Sequence, residues 1–288
     1  MSKIPATVTR FAPSPTGRLH LGHAYSALFA ESLVRQAGGR FLLRIEDIDR
    51  ARCRSEFEAA ILEDLAWLGV HWEAPVRRQS DHLEDYRAAL ERLESAGLLY
   101  PCFCSRKEIQ AEIARAAGAP QGPEGPIYPG TCRALPVEAR ELRIAEGRPY
   151  ALRLDVGTGL ARTGPLTWQD LDRGVMLAEP QLLGDVVLGR RDVPVSYHLA
   201  VSLDDHLQEV SLVTRGEDLL SATHTHRLLQ ALLGLATPAY RHHRLLTNDK
   251  GERLAKRDGA MTLESLRRHG RTPAEVRAMA GLGTGLGA

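Results

Sequence analysis

Two histidines, His20 and His23, bracket Gly22 directly after the turn Ala12-Pro13-Ser14-Pro15-Thr16-Gly17, at the start of an apolar-periodic stretch. On the first turn of a helix, side chains three apart project from the same side. That turn also presents exposed backbone N–H groups and the positive end of the helix dipole, both of which favour an anion. Two imidazoles placed there can donate to phosphate oxygens as charge builds at phosphorus. Gly22 leaves room for a planar group such as a nucleoside to lie against the backbone. Late in the chain, the turn Asn248-Asp249-Lys250-Gly251 precedes Arg253-Leu254-Ala255-Lys256-Arg257. A lysine on such a loop can neutralise charge on a leaving pyrophosphate, whereas a charge run of this kind is otherwise a solvated face. Cys102 and Cys104 sit one residue apart and Cys132 lies a loop away. Three thiolates suffice for a closed zinc site if a fourth ligand joins them, and a set of buried free thiols is the alternative. Cys53, among Arg50, Arg52 and Arg54, reads as an incidental thiol.

The elements that would carry these groups follow from periodicity. Thr7 to Phe11 reads as a short buried strand and Leu21 to Ala37 as a helix with Leu28, Phe29, Leu33 and Val34 on its apolar side. Gly38-Gly39 stops the helix, and Arg40 to Ile48 reads as the next strand. Strand, turn, helix and strand make a βαβ unit, hence a parallel sheet with a right-handed crossover. One amphipathic helix then carries Phe57, Ile61, Leu65 and Leu68, and another carries Tyr86, Leu90 and Leu93. From about Leu99 the pattern changes. Pro and Gly cluster between Gly118 and Pro126, which excludes helix and central strand and marks an insertion with its own turns. Regular patterning returns near Tyr197, with Leu199 to Leu203 and Val210 to Thr214 as strands and Leu219 to Leu233 as a helix. The fold class is therefore α/β. Four parts are expected: residues 1–98 and 183–240 as two halves of a Rossmann-type catalytic domain, 99–182 as the inserted module, and 241–288 as the lysine loop with a short tail.

Composition narrows the class. Apolar residues at 43% and charged residues at 25% are ordinary for a globular protein. No apolar run approaches the roughly 20 residues of a membrane span, and the N-terminus lacks the apolar core of a signal peptide, so a cytoplasmic protein is expected. The formal net charge of +1 excludes nucleic-acid binding through overall charge but leaves room for a local basic face.

The ordered blocks carry more. RFAPSPTGRLHLGH from Arg10 to His23, LRIEDID from Leu43 to Asp49, VTRGEDL from Val213 to Leu219 and the lysine loop together resemble the glutamyl branch of class I aminoacyl-tRNA synthetases over residues 7 to about 262. The resemblance implies a Rossmann-type catalytic domain that activates L-glutamate with ATP and Mg²⁺. His20, His23 and Lys256 would be catalytic, and His20, Gly22, His23 and Lys256 would bind ATP. Arg10, Ser14, Glu46, Tyr197 and Arg215 match the glutamate-binding positions, with Arg10 chosen for the side-chain carboxylate. The lysine loop departs from the family's K-M-S-K-S pattern at Arg253 and Ala255, where a lost serine hydroxyl removes a hydrogen bond worth about 1 kcal/mol.

Only about 30 residues follow that loop, too few for the helical anticodon-binding domains of full glutamyl-tRNA synthetases. This, and the pattern Cys102, Cys104, Tyr128, Cys132, resembles the shortened branch of that family, which glutamylates the queuosine base of tRNA(Asp). The resemblance implies one structural zinc on those four residues in a module facing the tRNA, queuosine-bearing tRNA(Asp) as acceptor, and a monomer. Three other readings stand beside it: a fragment charging tRNA(Glu), a small nucleotidylyltransferase using the same histidines without the glutamate pocket, and a non-catalytic tRNA-binding paralogue.

Overall fold

The computed structural model describes residues 6–115, 121–123, 125–190, 194–246 and 261–281. In chain order the elements are β1 (Val8–Phe11), α1 (Leu21–Ala37), β2 (Arg40–Ile45), α2 (Ser55–Trp67), β3 (Glu73–Arg78), α3 (Leu83–Ser95), β4 (Leu99–Cys102) and α4 (Arg106–Arg115). They continue as β5 (Gln121–Gly122), β6 (Gly125–Pro126), α5 (Val137–Ala145), β7 (Ala151–Leu154), α6 (Val156–Thr163), β8 (Thr167–Asp170), β9 (Gly174–Leu177) and β10 (Val187–Arg190). The last are α7 (Tyr197–Leu207), β11 (Leu212–Gly216), α8 (Leu220–Leu233), β12 (Ala239–His243), α9 (Leu263–Arg268) and α10 (Pro273–Met279).

The first βαβ unit forms as its periodicity requires. α1 packs an almost all-small face, Ala24, Ala27 and Ala30, close against the strands, with Leu28 and Val34 completing the seam. Fully burying Leu28 is worth about 2 kcal/mol. α1 ends at Gly38, whose left-handed φ of 60° closes the cap. At Gly39 a Cβ would lie 2.0 Å from the Thr7 carbonyl oxygen, so only glycine lets β2 enter alongside β1. β1, β2 and β3 then pair in parallel.

A second sheet runs β11-β12-β8-β9, parallel except for the β8–β9 hairpin. The two sheets meet edge to edge, where the Ser211 N–H donates to the Val8 carbonyl at 3.0 Å. Connections wind outward from β1 in one direction and from β11 in the other, so the β1/β11 boundary is a topological switch point. In open α/β sheets ligands bind in the crevice at the carboxyl ends of the strands there. β8 and β9 come from within 99–182 and join this sheet through Tyr240 and Asp170. β4, β7 and β10 form a separate antiparallel sheet, and β5 and β6 a short hairpin inside the Pro/Gly-rich stretch.

Two expectations change. Leu199 to Leu203 is not a strand but the buried middle of α7, with Ser196 at its N-cap. An unbroken apolar run fits a buried strand or a buried helix equally well by pattern, and burial of all of residues 199–205, with Leu199, Ala200 and Leu203 packed into one core with α3 and α8, goes with the helix. β2 stops at Ile45 rather than Ile48, because the Glu46 N–H turns to donate to the Pro13 carbonyl at 3.0 Å. Among the described residues no helix is long and apolar enough to cross a membrane.

Candidate active site

A cavity of about 350 Å³ opens at the switch point, lined by Arg10, Ser14, His20, Gly22, His23, Glu46, Tyr197, Arg215 and His243 among others. Of the sequence-expected site residues outside the cysteine group, only Lys256 is not among its walls; it lies outside the described residues. The two ends of the segment that contains it are placed. Leu245 and Leu246 line the cavity, and Leu263 N–H donates to the Leu19 carbonyl at 2.9 Å, beside a His20–Thr262 bridge.

The histidines do more than line the mouth. His20 is the N-cap of α1: its Nδ1 accepts from the Gly22 N–H at 3.1 Å, while His23 Nδ1 accepts from the His20 N–H at 3.2 Å. This is a capping box made with imidazoles in place of Ser and Glu. A ring nitrogen that accepts carries no proton, so in each neutral ring the proton sits on Nε2. Both residues are thereby prepared as Nε2 donors, with ring centroids 3.8 Å apart. Gly22 has a sharper reason than room for a nucleoside: a Cβ there would press on the His20 ring at 3.1 Å and disturb the cap.

Behind the mouth lies a network of buried charge. The Arg10 fork grips Asp205 with both ends, at 2.8 and 3.2 Å, and reaches the Thr214 carbonyl at 3.1 Å. Fully buried Arg44 donates to the same carboxylate at 2.8 Å and to Glu46 at 3.2 Å. Next to it Asp204 receives Arg77, Gln79 and Tyr86 at 2.8 to 2.9 Å. Burial alone would raise the Asp205 pKa, but Arg10 and Arg44 bring it down to about 2. Burial works against the charge on Arg44 as well, and the acids around it raise its pKa all the same. Glu46 is different: burial outweighs Arg44 and Arg10 and raises its pKa. Its carboxylate lines the cavity while keeping its bond to Arg44.

Arg215 is the exception among these arginines. Among the described residues no carboxylate reaches it; it donates to His242 Nε2, His226 Nδ1, Tyr197 Oη and the Thr223 hydroxyl. Burial first, and Arg215 second, bring the pKa values of His242 and His198 down to about 4 and that of His226 well below its ordinary value. Three acids, Asp204, Asp205 and Glu46, pair with three arginines, Arg77, Arg10 and Arg44, and among the described residues Arg215 is the buried arginine beside the cavity that no carboxylate touches.

A model of the catalytic domain of class I tRNA synthetases specific for E and Q matches residues 6–284. The chain belongs to that family. Class I synthetases of this type include a glutamyl-Q tRNA(Asp) synthetase of Rhodobacter capsulatus, 51% identical over 96% of this chain and 100% of its own length. A glutamyl-Q tRNA(Asp) synthetase of Symbiobacterium thermophilum is 45% identical over 93% of this chain and 83% of its own. Among solved structures, the glutamate-tRNA synthetase of Elizabethkingia anophelis superposes with a TM-score of 0.80 at 28% identity, with 96% of this chain covering 61% of that one. The switch-point crevice of this class I synthetase is thus where a family enzyme would hold its substrates.

The cysteine group assembles away from the crevice. Sγ of Cys102, Cys104 and Cys132 lie within 4.8 Å of one another, and Cys104 and Cys132 are 3.4 Å apart. Tyr128 Oη joins them, 3.4 Å from Cys102 Sγ and 3.7 Å from Cys104 Sγ, while accepting the Cys132 N–H at 2.9 Å. Zn–S bonds of about 2.3 Å in a tetrahedron put sulfurs about 3.8 Å apart, so the donor set fits zinc in number, type and spacing. The Arg153 guanidinium lies over the Tyr128 ring, 3.9 Å from its centroid, a cation–π contact that holds the ring in place. Burial pushes the Cys104 thiol up to about 12, with Cys132 adding to it; a dication at the centre would reverse that.

Sequence reasoning missed Arg44, Asp170, Asp205, His226 and His242. The available signals were a charged doublet, Asp204-Asp205, inside an apolar run, and the histidines of Thr223-His224-Thr225-His226 on a helix face. Neither pattern names a partner, because the partners lie on other elements: Asp205 meets Arg10 and Arg44, 195 and 161 positions before it, and His226 meets Arg215 of β11.

Proposed function

We propose that the protein activates L-glutamate with ATP to glutamyl-adenylate and transfers the glutamyl group to the queuosine base of tRNA(Asp). The observation that carries the first step is the pairing, across one crevice, of two Nε2-donor histidines with one surplus buried cation, Arg215. Glutamate enters with its ammonium toward Glu46 and its side-chain carboxylate toward Arg10 and Arg215. Arg215 supplies the uncompensated charge, and Ser14 and Tyr197 close the mouth. The α-carboxylate then attacks the α-phosphate of ATP in line. His20 and His23 donate to the phosphate oxygens as charge accumulates, and pyrophosphate leaves. Mg²⁺ arrives with ATP and screens its phosphates. Lys256 neutralises the leaving pyrophosphate, from a segment both of whose ends flank the crevice. A hydroxyl of the acceptor finally attacks the glutamyl carbonyl of the mixed anhydride, the acyl–phosphate bond breaks and AMP leaves as the hydroxyl proton is lost, a step driven by positioning.

The acceptor rests on likeness to relatives carrying the glutamyl-Q tRNA(Asp) synthetase name over nearly their whole length. A tRNA acceptor puts the reaction in the cytoplasm, with the chain acting as a monomer. Residues 99–182 present the acceptor-facing module, where Cys102, Cys104, Tyr128 and Cys132 hold one structural zinc that stiffens the loops around it. Substituting Cys104→Ser should abolish zinc content, measured by atomic absorption, while glutamate-dependent ATP–pyrophosphate exchange persists. Loss of exchange with an intact fold would instead give the metal a part in activation.

The deciding experiment is transfer of radiolabelled glutamate, with ATP, to tRNA(Asp) with and without queuosine and to tRNA(Glu). Label on queuosine-bearing tRNA(Asp) alone supports the proposal. Label on tRNA(Glu) makes the protein a minimal synthetase of the ordinary kind.

A further inference from the structure

The two arginines that face the amino-acid end of the crevice are held in opposite ways. Arg10 is neutralised in place by Asp205. Arg215 is held entirely by neutral groups, and their geometry shows which lone pairs do the holding. A guanidinium only donates, so each ring nitrogen in front of it must present a lone pair. Arg215 Nε points to His242 Nε2 at 3.3 Å. The other nitrogen of that ring, Nδ1, lies 2.8 Å from Asp170 Oδ2, and a carboxylate accepts, so Nδ1 carries the proton. The tautomer of His242 is therefore dictated from both sides. Asp170 is itself anchored by the N–H groups of Asp172 and Arg173, both at 3.0 Å. His226 repeats the logic: Nδ1 receives Arg215 at 3.1 Å, and Nε2 donates onward to His198 Nδ1 at 3.2 Å. Thr223 Oγ1 lies 3.2 Å from His242 Nε2 and takes the remaining arm of the fork.

Asp170 stands at the end of β8, in the segment that reads as an insertion, and reaches His242 only because β8 pairs with β12 at Tyr240. The carboxylate nearest to Arg215 through this chain of contacts is thus kept one imidazole away. It orients the histidine without quenching the arginine.

We propose that the Asp170–His242 pair, together with His226, is the specificity-determining support of Arg215, holding it as a cation with no fixed counter-charge so that the crevice selects a side-chain carboxylate over the isosteric carboxamide. The proposal rests on the reading of glutamate as the amino acid. An incoming carboxylate completes the ion pair. A carboxamide turns either a donor or a weak neutral acceptor toward a buried cation and leaves it uncompensated, the kind of mismatch that polar sites reject most strongly. Had a carboxylate stood in the place of His242, Arg215 would resemble Arg10 and the distinction would fade. These histidines are positioning residues: they act on the substrate through Arg215.

The test uses the full chain in ATP–pyrophosphate exchange, driven by glutamate or by glutamine, with KM for ATP measured alongside. The unsubstituted protein comes first, and absence of glutamate-dependent exchange there would overturn the functional reading itself. In His242→Phe, KM for glutamate should rise about tenfold or more, while kcat and KM for ATP shift about twofold at most. The glutamate-over-glutamine ratio of kcat/KM should fall by about the factor by which KM rises. His242→Gln, whose Oε1 can accept from Arg215, should recover part of the ratio. His226→Glu, which sets a carboxylate against Arg215, should lower glutamate use and raise relative use of glutamine. If His242→Phe fails to fold by circular dichroism, Asp170→Asn decides, and the ratio should fall there too. An unchanged ratio in the folded variants, or proportional loss with both amino acids together with a higher KM for ATP, would overturn the proposal.

Discussion

The two ends of the crevice, proposed above for the nucleotide and for the amino acid, lie side by side and are built on opposite principles. The proposed nucleotide end comes from one contiguous stretch, Thr16 to His23, in which backbone and side chain prepare each other: α1 needs a cap, and capping leaves the proton of each neutral imidazole on Nε2, the atom proposed to donate to phosphate. Its strength is local, dipolar and close to solvent. The amino-acid end collects Arg10, Arg44, Glu46, Asp205, Arg215 and His242 from elements up to about 230 positions apart in the chain, and its strength is buried charge. The difference teaches that local order suffices where backbone dipoles carry the work, whereas a surplus charge can be held only by a tertiary frame that excludes water around it.

Substitutions at three positions sharpen or break this contrast, in order of expected size. Asp205→Asn removes the acid shared by Arg10 and Arg44, leaving buried cations unpaired, and should destabilise the fold by about 3–5 kcal/mol in urea denaturation. The pH dependence carries a sign. The folded pKa of Asp205, about 2, lies below the unfolded value of about 3.9. Its stabilisation is therefore complete above pH ~4 and lost as pH falls toward 2, so the gap between the two proteins should close only in acid. A gap constant down to pH 2 would remove Asp205 from its central place.

At the nucleotide end the expected effect is kinetic. His23→Asn keeps an acceptor where Nδ1 was, so the cap and Tm should survive. The lost Nε2 donor should lower kcat for exchange by about 100- to 1000-fold. His23→Ala should lose the same rate and, in addition, about 1 kcal/mol of cap stability. Equal Tm losses in the two variants would mean that cap and donor are not separate functions of one ring.

The smallest effect lies under the nucleotide end. Asp64 of α2 is fully buried, neither carboxylate oxygen has a hydrogen-bond partner, and Arg267 of α9 stands 3.9 Å away. Burial pushes its pKa up to about 6. A raised folded pKa means that stability is complete below pH ~4 and lost as pH rises through 6. Asp64→Asn should accordingly raise Tm by a few degrees at pH 8 and barely at pH 4. A gain at pH 4 as large as at pH 8 would show that charge is not the cause.

Legibility follows the same divide. The βαβ unit, the place of His20 and His23 at a helix start and the ends of α1 could be read directly, because a helix start, its glycine stop and its apolar period are set by neighbours within a turn or two; that the two histidines cap the helix came only with the structure. The Cys102, Cys104 and Cys132 cluster was suggested by spacing, though only folding shows that Tyr128 points its oxygen into it. The helix over Tyr197–Leu207 was misread as strand, since an apolar run buried on all sides loses its period. With it went Asp204 and Asp205, whose meaning depends on the helix carrying them into the core.

The residue types at Thr16 to His23 and the apolar period after them were enough, by themselves, to determine a helix that opens with two histidines on one side, because each hydrogen bond involved spans at most four positions. Which arginine is neutralised and which is left charged was decided only by tertiary structure. Arg10 meets Asp205 across 195 positions, and Arg215 meets a histidine whose tautomer is set by Asp170, 72 positions before it. No local rule connects such residues; they are joined by the sheet order that sets β1 beside β11 and β8 beside β12.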